Sequence, residues 1–174
     1  MSVLLLVAAI FSSGPSPAEA PAKLAMHPLV LAPGRVVMDY LGYVPETNQV
    51  WAPGGNTGKV FVVDAATEAI KSVDGFASLE KEGRLLGPSS VTFGPGTAYV
   101  GNRADGTVCA VSLKTLVRGA CVTLPVPPDG LAYVATTGEV WATTPRSSSL
   151  TILGTGEGRL RVAGKIALDG APEG

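Results

Sequence analysis

Tyr43-Val44-Pro45-Glu46-Thr47-Asn48-Gln49-Val50-Trp51 is matched later in the chain by Tyr133-Val134-Ala135-Thr136-Thr137-Gly138-Glu139-Val140-Trp141. Both stretches run from an apolar pair through a polar turn to a second apolar pair ending in tryptophan. Phe93-Gly94-Pro95-Gly96-Thr97-Ala98-Tyr99 is a shorter version lying between them. Val50-Trp51, Ala98-Tyr99 and Val140-Trp141 are therefore equivalent. Ten residues after the first member of each pair a further apolar run begins, at Val60, Val108 and Leu150. The unit repeats at an offset of 48 residues and then of 42, with both anchors preserved.

Each unit reads as four short strands. The first has Val36–Val44, Gln49–Ala52, Lys59–Asp64 and Ala69–Val73. The second has Ser90–Gly94, Thr97–Asn102, Thr107–Leu113 and Gly119–Leu124, and the third Gly130–Val134, Glu139–Thr143, Ser149–Leu153 and Arg159–Leu168. Turn-forming Gly, Pro, Asn and Asp fill the gaps. Strands at this spacing predict an all-β propeller of four-stranded antiparallel blades. The blades fall at 36–76, 88–125 and 128–168 within a partial propeller over 21–174. Pro172-Glu173-Gly174 matches Pro128-Asp129-Gly130, so residues 170–174 open a fourth blade and leave an incomplete ring.

Asp39-Tyr40-Leu41-Gly42-Tyr43 and Pro128-Asp129-Gly130-Leu131-Ala132-Tyr133 resemble the innermost strand of YVTN-repeat (YncE-like) propellers. Ala98-Tyr99-Val100-Gly101-Asn102 resembles the YVTN motif itself, and Val60–Thr67 that family's third strand and turn. The resemblance covers Leu29 to the C-terminus, apparently the N-terminal half of such a propeller. It implies the fold and leaves the activity open.

Composition agrees with strands and turns. Charged residues make up 16% of the chain, against about 25% in ordinary soluble domains, and 22 Gly and 14 Pro are spread along it. The 13 basic and 14 acidic residues form no like-charge run, so the basic face that nucleic acid requires is missing. Val3–Phe11 is a nine-residue apolar stretch, too short to span a bilayer, followed by Ala18-Glu19-Ala20. Residues 1–20 are expected to be a signal peptide, although no basic residue precedes the apolar run. The expectation is a periplasmic or secreted protein with no membrane span in the mature chain.

Aligning the repeats puts Asp39, Ser89, Asp129 and Glu173 at one position, at the start of each inner strand. Asp39, Asp129 and Glu173 would ring one channel mouth, where carboxylates suit a divalent cation or a polar ligand; turn formation is the alternative. Asn56, Asn102, Arg103 and Arg146 lie on loops opening at the same mouth and are candidate ligand contacts. His27 is the only histidine and cannot build a histidine metal site. Trp51 and Trp141 are repeat-equivalent and read as blade packing. Cys109 and Cys121 should oppose each other on adjacent strands, as a disulfide in an oxidising compartment or as two buried thiols without export. A bond requires Cα atoms about 4.4–6.8 Å apart.

Three functions remain open. The first is a binding or scaffold module presenting a face at the channel mouth to a protein or small molecule. The second is a metal-dependent hydrolase resembling lactonase propellers. The third is a non-functional fragment of a longer propeller. Association between chains to complete the ring is a further expectation.

Overall fold

The computed structural model describes Met26, residues 28–156 and residues 159–173. Residues 1–20, His27 and Gly174, which figure in the expectations above, lie outside or partly outside that range. Fourteen strands are present among the described residues: β1 Gly42–Val44, β2 Gln49–Gly54, β3 Lys59–Asp64, β4 Ile70–Val73, β5 Leu79–Lys81, β6 Arg84–Leu86 and β7 Pro88–Gly94, then β8 Thr97–Asn102, β9 Thr107–Ser112, β10 Arg118–Thr123, β11 Leu131–Val134, β12 Glu139–Thr144, β13 Ser149–Gly154 and β14 Arg161–Ala167. They form three four-stranded antiparallel sheets in chain order, β1–β4, β7–β10 and β11–β14. These are the three blades of an open, partial propeller. Pro145–Ser147 forms a single 3-10 turn, and no α-helix occurs among the described residues.

Two details depart from the sequence reading. Residues 36–41 do not join the ladder of β1. Their backbone groups turn elsewhere: the Gly55 amide donates to Val37 O (2.7 Å) and the Tyr40 amide to Ser89 O (3.0 Å), so the segment is tied to a loop and to the next blade. Between the first two blades lies an unexpected two-stranded hairpin, β5 and β6, with Lys81 opposite Arg84 at its tip.

The first hairpin of each blade closes on a residue in the left-handed region. These are Asn48 (φ 51°), Gly96 (φ 65°) and Gly138 (φ 68°), and Gly and Asn adopt that conformation at least cost.

The core lies between blades. Trp51 of β2, wholly buried, packs edge-on against Phe93 of β7 with ring centroids 5.9 Å apart. One unit on, Tyr99 of β8 stacks against Tyr133 of β11 at 6.0 Å. The same repeat position thus reaches the first strand of the following blade each time. These rings need room: a Cβ at Gly42 would sit 2.6 Å from the Phe93 ring. Val60, Val62, Val100 and Val111 fill one interface, and Val108, Val140 and Leu153 the other. At the ends of the series the partners are missing among the described residues. Tyr43, equivalent to Phe93 and Tyr133, is 53% exposed. Trp141 is half-buried and donates through Nε1 to Glu139 Oε2 (3.1 Å). That bond, with a second from the Thr137 hydroxyl, holds the Glu139 carboxyl below its usual range.

Cys109 on β9 and Cys121 on β10 stand directly opposite and are joined as a disulfide, with Cα atoms 4.0 Å apart. This is just under the expected separation, and the ladder shifts register between Arg118 and Cys121.

Two measurements follow from this packing. Trp51→Ala should lower stability by about 3–5 kcal/mol, because it empties a fully enclosed site. Trp141→Ala should cost less than half as much; urea unfolding followed by circular dichroism compares the two. In exported protein, Cys109 and Cys121 should resist alkylation until a reductant is added, a difference read by intact-mass spectrometry.

Candidate functional site

Four kinds of connection meet at one end of the blades: the segments leading into β1, β7 and β11, the β8–β9 loop, the turn after β12, and the β5–β6 hairpin. Arg103, on the β8–β9 loop, is the hub. Its Nη1 lies 2.7 Å from Asp39 Oδ2, and its Nη2 is ion-paired with Asp129 Oδ1. Asp39 leads into the first blade and Asp129 into the third, so one guanidinium from the second blade links all three. The backbone fixes each partner. The Arg103 amide donates to Gly87 O (2.9 Å) and the Asp129 amide to Thr143 O (2.8 Å). The Asp129 side chain is 10% exposed and that of Arg103 25%.

Beside this hub opens a cleft of about 440 Å³. Lys81 and Arg84 of the hairpin, Arg103, and Arg146 of the 3-10 turn supply cations; Asp129 and Glu173 supply carboxylates. Leu79, Leu86, Pro127, Pro128 and Pro145 form apolar walls. A second cavity of about 30 Å³, also lined by Arg103, borders Asp39 and Ser89. At the opposite end of the blades a cleft of about 620 Å³ runs past Phe93, Leu113 and Tyr133. It is larger but almost wholly apolar, and it brings only Glu46 and Lys114 as charged groups. The first cleft is therefore the better functional candidate, since polar groups that converge on an apolar pocket are what orient a ligand.

The seven candidate residues divide. Asp39 and Asp129 are brought together, but by Arg103 rather than around an open centre. Among the described residues no group of three or more His, Cys, Asp or Glu is arranged to hold a metal ion. The physical reason is direct: a guanidinium already occupies the space between the two carboxylates and offsets their repulsion. Glu173 is exposed at the cleft rim. Asn56 and Asn102 serve the backbone instead of facing the cleft. Asn56 Oδ1 accepts from the Val37 amide and its Nδ2 donates to Arg35 O, both 2.8 Å. Asn102, fully buried, donates through Nδ2 to Ala77 O (3.1 Å) and accepts from the Ala104 amide (2.9 Å). Ser89, at the position of Asp39 and Asp129, is buried, and its hydroxyl has no hydrogen-bond partner among the described residues. Lys81 and Arg84 were missed by sequence reasoning; the only signal was a short charged stretch between units.

No protein-family model and no curated protein sequence matches this chain. Solved structures do. The periplasmic gluconolactonase PpgL of Pseudomonas aeruginosa aligns with a TM-score of 0.62 and 14% identity, over 77% of this chain and 40% of that one. AztD from Citrobacter koseri, in its apo form, aligns at 0.60 and 15% identity, over 86% and 40%. The Cps50 (Swd1) β-propeller domain of Myceliophteria thermophila aligns at 0.54 and 11%, over 74% and 37%. The likeness establishes the propeller fold. The chain spans about two-fifths of the length of these structures.

Removing the hub cation should expose its cost. Arg103→Ala should destabilise the protein by about 2 kcal/mol, a buried-pair value reduced for partial solvent exposure. Adding Asp129→Asn should recover part of that loss, since it removes the stranded charge. Thermal or urea unfolding of the single and double variants measures both.

Proposed function

We propose that this chain is an extracytoplasmic propeller module of the YVTN-repeat type whose role is to bind a ligand in the cleft beside Arg103. One observation carries this reading: side chains from five separate stretches of chain converge on one pocket whose central arginine is ion-paired with two carboxylates. A fixed charged group at the base of a partly apolar pocket is pre-organised, so binding need not supply the energy to order it. Location outside the cytoplasm is supported by the apolar run Val3–Phe11, by the small residues at Ala18–Ala20 and by the paired Cys109 and Cys121.

Nuclear magnetic resonance screening of the isotope-labelled protein against small polar fragments tests the site. Amide shifts should cluster at Leu79, Ala104 and Arg146. Shifts confined to the far cleft, around Gly94 and Leu113, would place the working face at the other end.

A further inference from the structure

The charges around the cleft, taken with the reading that it holds a ligand, define that ligand's chemistry. Four cations and two carboxylates line it. Asp129 is not free to attract a cation, because its Oδ1 is paired with Arg103, which Asp39 holds from the other side. Lys81, Arg84 and Arg146 are exposed and make no ion pair among the described residues. Glu173 at the rim is the other carboxylate of the lining, while Glu80 and Glu82 of the hairpin are exposed and lie outside it. The lining therefore holds two more cations than carboxylates, although the chain as a whole carries a formal charge of −1.

The hairpin gives a second and independent reason. Lys81 and Arg84 are direct cross-strand partners. Like charges facing each other on a ladder oppose its formation, and a two-stranded hairpin has little stability to spare. Glu82 and Gly83 between them both adopt positive φ (53° and 73°), which makes the tight reversal that brings the two cations face to face. Glu82 lies in the turn between them, and among the described residues no ion pair joins it to either cation. Local rules broken in this way mark functional sites, and an anion seated between the two cations removes the conflict.

The walls supply the remaining part of the description. Leu79, Leu86, Pro127 and Pro128 are apolar, and the volume of about 440 Å³ lies within the range of small-molecule pockets. We infer that the cleft binds a small organic anion, with a phosphate, sulfonate or carboxylate held by Arg84, Lys81 and Arg146 and an apolar body laid against the prolines and leucines. Arginine suits this role because its planar fork meets such oxygens with paired hydrogen bonds.

Isothermal titration of the whole chain with three probes tests the inference. Phenyl phosphate should bind, and more weakly as salt rises. Inorganic phosphate should bind at least tenfold more weakly, because it lacks the apolar body. Phenyltrimethylammonium should not bind. Arg84→Ala and Arg146→Ala, both at exposed positions, should each weaken phenyl phosphate about tenfold without changing the circular dichroism spectrum. Equal affinity for the two phosphates, or unchanged affinity in both variants, would overturn the inference. Preferential binding of the ammonium probe in this cleft would also overturn it while leaving the cleft as the ligand site. Failure of all three probes, with fragments gathering at the opposite cleft, would remove both readings together.

Discussion

Arg103 carries a burden out of proportion to its size. Its guanidinium belongs to the second blade, while the two carboxylates it holds stand at the entrances to the first and third. Each blade buries most of its apolar surface against its neighbour, so interblade angle and interblade packing are one problem. A planar cation bridging three successive blades ties them together at the mouth, beside a cleft walled by prolines and leucines. Without it, Asp39 and Asp129 would face each other unshielded. Both the cleft and the small cavity at Ser89 are lined by Arg103.

The strands were legible because their signal is local. A period of two residues, interrupted by turn formers and repeated at two nearly equal offsets, placed most elements to within a residue or two. β2 begins at Gln49 and β8 spans Thr97–Asn102, as the pattern required. The hairpin was not legible, since its strands have three residues each and mix charge with leucine in no regular alternation. The mouth was legible only in part. Equivalent positions correctly gathered Asp39 and Asp129, but sequence spacing carries no sign that Arg103, between the two in the chain, would settle between them in space. The asparagines show the same limit. Asn56 and Asn102 have the look of ligand contacts in a loop, yet each amide donates to one backbone carbonyl and accepts from one backbone amide outside the strands.

The aromatic series makes a different point about repeats. Trp51 meets Phe93 and Tyr99 meets Tyr133, with different rings and different angles at one structural position. What the repeat conserves internally is the reach of a large flat side chain across the interface, together with space opposite it. Chemical identity matters less than volume, as expected where shape and exclusion of water dominate.

The β5–β6 hairpin lies between two blades and outside both of their hydrogen-bonded ladders. Its leucines are exposed or only half-buried, and neither of the two buried apolar clusters includes any of its residues. Changing its length or its charges would therefore leave the three sheets untouched while rewriting what stands over the cleft. A propeller built this way can exchange one ligand preference for another by replacing a few residues between two turns, as a tool changes its bit without a new handle.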